Sequence, residues 1–200
     1  MQQRLRSRIV LWLLLGPFLI PWPCLPETGT FKPLEGVVDL AGRPVNPFAK
    51  GNKVSANVFL FVAVDCPISN KYAPELKRLV NEFEPKGVLF WFVYTDPDIT
   101  PESIRKHAQE FGLSGRMIYD RKLVLARKSR AEVTPEAALF SPSGDILYHG
   151  RIDDRFPVLG KERLQATDRT LATAITSFLA GRSLPVSEAK AVGCRIPPSP

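Results

Sequence analysis

Two continuous apolar runs organise this chain: Asn57-Val58-Phe59-Leu60-Phe61-Val62-Ala63-Val64 and Val88-Leu89-Phe90-Trp91-Phe92-Val93-Tyr94. Neither alternates, so each predicts a strand buried on both faces, as in a parallel sheet covered by helices. Between them the period changes. Tyr72, Leu76, Leu79, Val80 and Phe83 recur at helical spacing; Pro67 and Asn70 suit a first turn, and Pro85-Lys86-Gly87 an end. Thr100-Pro101-Glu102-Ser103 opens a second helix with a cap and a first-position proline; it carries Ile104, Ala108 and Phe111 and stops at Gly112. Positions 117–120 read as a short strand and 123–129 as a helical turn. Glu136-Ala137-Ala138-Leu139-Phe140 and Ile146-Leu147-Tyr148-His149 flank Ser141-Pro142-Ser143-Gly144-Asp145, an antiparallel hairpin. A last amphipathic helix over 163–180 places Leu171, Ile175, Phe178 and Leu179 on one side, with Gly181 to end it. Upstream, positions 36–40 and Pro44-Val45 around Ala41-Gly42-Arg43 predict a small hairpin.

The predicted order is β-α-β-α-β-turn-β-β-α. This is an α/β class with a central mixed sheet flanked by helices and an N-terminal β-hairpin extension. A βαβ opening followed by an antiparallel hairpin and a closing helix is the thioredoxin-like arrangement. The 200 residues suit one domain with appendages, and the 44% apolar content is enough for a core. No repeat or second domain is visible.

The appendages change the picture more than the bulk composition does. Arg4, Arg6 and Arg8 precede an apolar run over 9–20 broken only by Gly16 and Pro17, too short for a membrane span of about 20 residues. A secretory signal peptide over residues 1–26 is the expectation, with an uncleaved N-terminal anchor as the alternative. The Pro21-Trp22-Pro23-Cys24 segment lacks a small-x-small cleavage triplet, and Cys24 also admits lipidation. Export to the periplasm, or a membrane tether facing it, follows. Residues 27–182 form the domain, and 183–200 a polar, proline-rich tail carrying Cys194. Of the net charge of +7, three positive charges lie in the leader, which leaves +4 on the rest. The basic residues are scattered, with no arginine-rich tract, so no nucleic-acid partner is expected. Removal of Cys24 with the leader would leave Cys66 and Cys194, an even number in an oxidising compartment.

Cys66 stands between the end of a buried strand and the start of a helix. Unpaired backbone N–H groups and the helix dipole stabilise a thiolate at such a place, and the thiolate is the nucleophile of disulfide exchange. Pro67 starts the helix cleanly, and Ser69 is placed for its hydroxyl to face the sulfur. Asp65 either perturbs the thiol or is simply solvated. Thr134-Pro135 directly precedes a strand; the likeness to the thioredoxin-like arrangement implies a cis proline there that packs against the cysteine and exposes a backbone edge for substrate. Cys194, on a tail able to fold back, either resolves a mixed disulfide at Cys66 or forms a permanent clasp. His107 and His149 read as ordinary surface or half-buried residues, and Asp153-Asp154 as partners of Arg151 or Arg155. No metal spacing signature is present and no cofactor is called for, although Cys66, Cys194 and His149 together offer soft ligands for copper.

Asp65-Cys66-Pro67-Ile68-Ser69-Asn70-Lys71-Tyr72-Ala73-Pro74, Thr134-Pro135-Glu136, Tyr148-His149-Gly150-Arg151-Ile152-Asp153-Asp154 and Gly193-Cys194 together resemble the thioredoxin-like redoxin family. That group is related to the alkyl-hydroperoxide-reductase and thiol-specific-antioxidant proteins, and the likeness is to a bacterial subgroup with a single cysteine at this place. It extends over roughly residues 31–196. It implies a thioredoxin fold and thiol redox chemistry with a protein or small-molecule thiol or disulfide partner. The departures matter. Ser69 stands where a thioredoxin has its second cysteine, and Phe59 and Ala63 stand where a peroxiredoxin has its proline and its threonine or serine. An exported thiol-disulfide oxidoreductase using Cys66, with Cys194 or an external thiol resolving, is the expectation. The rival readings are a thiol peroxidase or antioxidant, and a non-catalytic binding module or copper carrier.

Overall fold

The computed structural model describes residues 34–49 and 54–196; the leader, Cys24 and the last four residues lie outside them, as do the expectations placed on them. Among the described residues no helix is long and apolar enough to cross a membrane. The elements in chain order are β1 (Val37–Asp39), β2 (Ala56–Phe61), α1 (Pro67–Phe83), a 3-10 turn (Glu84–Lys86), β3 (Val88–Tyr94) and α2 (Pro101–Glu110). There follow β4 (Arg116–Asp120), α3 (Val124–Ser129), β5 (Val133–Thr134), β6 (Glu136–Phe140), β7 (Ile146–Gly150), α4 (Thr170–Leu179), β8 (Glu188–Ala189) and β9 (Cys194–Arg195).

Seven strands make one mixed sheet in the order β1-β4-β3-β2-β6-β7-β8. β2, β3 and β4 run parallel, whereas β6 pairs antiparallel with β2 and with β7. All six residues of β2 are buried, as a non-alternating central strand requires. Val58, Leu60, Phe90, Phe92 and Tyr94 pack with Leu76, Leu79 and Phe83 of α1, Ile104 of α2, and Leu171 and Ile175 of α4. Phe59, Phe61, Trp91, Val93 and Phe140 point the other way, toward Leu125 and Ala126 of α3. Pro74 sits inside α1 and costs the helix about 3 kcal/mol. Burial of Leu76, Leu79, Val80 and Phe83, at about 1.5–3 kcal/mol each, outweighs that cost, and α1 runs on to Phe83. The N-terminal hairpin forms through a Val38–Pro44 bridge, and β1 lies on β4 as the sheet's edge.

One segment differs from the sequence expectation. α4 begins at Thr170, not near 163. Buried Asp154 takes the backbone N–H groups of Thr167 and Asp168 at 2.7 and 3.0 Å, which holds the approach in an irregular loop; Leu164 there is fully exposed. The tail folds back onto the domain, as its sequence allowed. β8 adds to the sheet in parallel beside β7, and β9 pairs antiparallel with β5.

Candidate functional site

β2 ends beneath the sheet's rim, and the chain turns through Val64 and the exposed Asp65 into α1. Cys66 occupies the helix N-cap with extended backbone angles, and its carbonyl receives the first helical hydrogen bond from Asn70 N–H at 3.1 Å. No side chain caps this end, Pro67 is its first residue, and the first turn carries no acid. The unpaired N–H groups and the positive end of the dipole are thus left to the sulfur. Cys66 itself is only 1% exposed.

Three side chains brace this turn, Tyr94 and His107 buried and Asn70 half-buried. Asn70 donates to the Val64 carbonyl at 3.1 Å, His107 Nε2 lies 2.8 Å from Asn70 Oδ1, and the Tyr94 hydroxyl lies 2.9 Å from His107 Nδ1. A neutral imidazole with its hydrogen on Nε2 satisfies every member. Burial pushes His107 toward that neutral form against the opposing charge of Glu110. His107 is therefore a buried, fully hydrogen-bonded residue and not the surface or half-buried one expected from its spacing. Ser69 is also buried, and its hydroxyl accepts from Ala63 N–H at 3.4 Å; among the described residues it makes no hydrogen bond to the Cys66 sulfur.

The peptide bond between Thr134 and Pro135 is cis, and both residues are buried. The Thr134 carbonyl oxygen lies 3.1 Å from the Cys66 sulfur. Cys194 reaches the same place from the tail: it forms a disulfide with Cys66, with Cα atoms 6.0 Å apart across a separation of 128 residues. Its backbone faces Thr134 in the β5–β9 pair, and Arg195 faces Val133. Cys66, Cys194, Thr134 and Pro135 thus converge. Asp65 and Pro67 lie on the exposed rim beside them.

Glu136, read from the sequence only as a strand start and as part of the motif that carries the resemblance, also belongs to this site. It is buried directly after Pro135, and one carboxylate oxygen accepts the N–H groups of Glu132 and Val133 at 2.8 and 3.1 Å. Burial pushes its pKa up, and the two backbone donors oppose that. An acid immediately after an X-Pro pair at a strand start was the available signal. The tail's glycine also carried information: a Cβ on Gly193 would overlap the Thr134 carbonyl.

Asp153 and Asp154 lie in a loop and take different partners, neither of them the expected arginine side chains. Asp153 accepts the Tyr72 hydroxyl at 2.6 Å and the Arg155 N–H at 2.8 Å, tying this loop to α1. Asp154 pairs with Arg163 at 2.6 Å. Burial would raise the Asp154 carboxyl, but the Thr167 hydroxyl, the N–H groups of Asp168 and Thr167, and Arg163 outweigh it and bring it to about 2. Arg151 and Arg155 pair instead with Asp168 and Glu162. His149 Nε2 lies 3.4 Å from a Glu188 carboxylate oxygen. Among the described residues no three His, Cys, Asp or Glu side chains converge as metal ligands, so Cys66, Cys194 and His149 are not assembled as a copper site.

No family model matches the sequence, and no curated protein shows significant similarity to it. Solved structures do. An uncharacterized conserved protein from Geobacillus kaustophilus is 27% identical, covers 82% of this chain and 88% of its own length, and superposes with a TM-score of 0.70. A hypothetical protein from Sinorhizobium meliloti is 21% identical, with coverages of 80% and 88% and a TM-score of 0.68. The thioredoxin domain of a thiol-disulfide oxidoreductase from Bacteroides vulgatus is 19% identical, with coverages of 72% and 93% and a TM-score of 0.51. The chain has a thioredoxin-like fold.

Proposed function

We propose that this protein is an exported thiol-disulfide oxidoreductase in which Cys66 is the exchanging nucleophile and Cys194 the resolving thiol. The observation that carries this reading is the Cys66–Cys194 disulfide at an uncapped helix start, against the carbonyl that precedes a cis proline. Neither a second cysteine in α1 nor a peroxiredoxin-type hydroxyl accompanies Cys66. Export rests on the basic, then apolar, character of the first 26 residues.

In the reduced protein the Cys66 thiolate attacks one sulfur of a partner disulfide. The partner S–S bond breaks, a Cys66–partner disulfide forms, and the departing thiolate takes a proton from water. The Cys194 thiolate then attacks the Cys66 sulfur, closes the intramolecular disulfide and expels the second partner thiolate. Two electrons have passed from the two cysteines to the partner. An external dithiol reverses the state. Cys194 is the more exposed sulfur, so the dithiol attacks there and Cys66 leaves as the thiolate favoured at the helix start. The dithiol's second sulfur then displaces Cys194.

A permanent clasp is the second reading, favoured by the near-complete burial of Cys66 and by the paired strands β5 and β9. Exposure to glutathione disulfide separates the two. The Cys194→Ser chain should accumulate a glutathione adduct on Cys66, mapped by mass, whereas Cys66→Ser should form none at an equal rate on Cys194. Comparable adduct formation on both variants would favour the clasp and remove Cys66 from the role of nucleophile.

A further inference from the structure

The tail meets the domain as a partner chain would. Cys194 is joined to the nucleophile, its backbone runs antiparallel to Val133–Thr134, and Ile196 N–H donates to the Glu132 carbonyl at 2.9 Å. Two side-chain positions are selective. At Gly193 there is no room for a Cβ beside the Thr134 carbonyl and the Pro135 nitrogen, and neither is a flexible side chain that could move aside. Two residues beyond the cysteine, Ile196 is 8% exposed and packs in the cluster that contains Leu123, Leu125 and Ala126. Ile196 forms one wall of an open cleft of about 410 Å³ that Leu123, Ala126 and Val133 line together with Arg127, Glu132 and Arg195. Arg195, between them, is exposed. The edge thus reads a pattern: glycine, cysteine, any residue, aliphatic.

We propose that residues 193–196 are a built-in analogue of the partner, and that the partner displacing them is an extended peptide segment of the form Gly-Cys-x-aliphatic. This rests on the exchange chemistry above and names its substrate class. The tail and the partner then compete for one edge. The partner docks as Cys66 takes its sulfur, and the returning tail both resolves the mixed disulfide and reclaims the strand position.

The test uses the full chain carrying Cys194→Ser in its reduced state. Three peptides are offered: Ala-Val-Gly-Cys-Arg-Ile, the same with alanine for glycine, and the same with serine for isoleucine. Each is presented as its mixed disulfide with thionitrobenzoate. Cys66 attacks the peptide sulfur, thionitrobenzoate leaves as the thiolate, and the adduct is quantified by mass mapping, which distinguishes Cys66 from Cys24. The glycine peptide should couple faster than the alanine peptide by about tenfold or more, the scale of an overpacked contact. The serine peptide should also lag. Adding Gly193→Ala to the chain weakens the competing tail and should speed coupling of the glycine peptide. Equal rates for the glycine and alanine peptides, or no acceleration by Gly193→Ala, overturn the proposal. A small aromatic disulfide run in parallel reports on the thiol alone. If it modifies Cys66 while the peptides do not differ, only the peptide inference falls; if it leaves Cys66 unmodified, the exchange reading falls with it.

Discussion

Breaking the Cys66–Cys194 bond should cost the fold a measurable and calculable amount of stability. The bond closes a loop across 128 residues. Chain-entropy bookkeeping for a loop of that size gives about 5 kcal/mol at 25 °C. One effect opposes it: the freed Cys66 thiolate gains the field of the helix start, worth on the order of 1 kcal/mol and at most about 2. The net loss on reduction should therefore be about 3–5 kcal/mol. With a urea slope of about 2 kcal/mol/M, that moves the unfolding midpoint down by roughly 2 M. Trp91 provides the signal, since it is buried and its indole donates to Asn57 at 2.9 Å. The assay compares oxidised wild type, wild type in excess reductant, and Cys194→Ser in both conditions. Reduced wild type and Cys194→Ser should coincide, and the variant should not respond to reductant. Coincident curves for oxidised and reduced wild type would refute the reasoning, as would a gap below about 1 kcal/mol.

Two further perturbations test the scaffold around the thiol. Tyr72→Phe removes one of the two donors to buried Asp153 and should destabilise the domain by about 1–3 kcal/mol in thermal or urea unfolding; a change under 0.5 kcal/mol, on the order of a neutral surface substitution, would contradict the assigned bond. His107 is held neutral by burial, with its folded pKa below the unfolded value of about 6.5. Its contribution is present above the unfolded pKa and is lost as pH falls from there through the folded one. His107→Gln should lose less stability than wild type between pH 7 and the acid end of that window, measured as urea midpoints at matched ionic strength. Parallel losses in the two chains would show that the imidazole does not titrate with unfolding.

Legibility in the sequence followed the kind of force involved. β2 and β3 were plain because a strand buried on both faces must be apolar throughout, and α1 because its buried face repeats at helical spacing. The Cys66 position and the Thr134-Pro135 pair were legible as chemistry set at element boundaries. The start of α4 was not, because positions 163–169 have helical spacing yet Asp154, distant in sequence, holds two of their N–H groups. The relay from buried Tyr94 through His107 to half-buried Asn70 was hidden for a similar reason: each partner lies on a different element, and His107 alone looks like any polar helix residue. β8 and β9 were the least visible. Two-residue strands have no periodicity, and their pairing is carried by backbone groups that every residue possesses. Only Gly150 and Gly193 mark where the tail comes in, since a Cβ on either would collide with the opposing backbone.

On the proposed reading, that backbone-borne pairing would let a resolving thiol sit on the tail. Ordering residues 188–196 costs on the order of 1 kcal/mol or more for each residue fixed. Against it stand a few backbone hydrogen bonds, among them Arg151 N–H to Ala189 at 2.9 Å and Ile196 N–H to Glu132 at 2.9 Å, each worth about 1 kcal/mol. Burial of Ile196, and of Ala189 and Val192 against the core, adds on the order of 1–3 kcal/mol for each larger side chain. The opposing contributions are of similar size, so a covalent bond worth several kcal/mol decides whether the tail stays down. Oxidation fixes it over the Val133–Thr134 edge. Reduction would then release that edge while the chain keeps Cys194 tethered nearby, at an effective concentration that would favour its return over attack by a free thiol. A second cysteine inside α1 would resolve faster but would leave the edge permanently open. Under the proposed exchange, placing it on the tail would couple access of the partner to the redox state of Cys66.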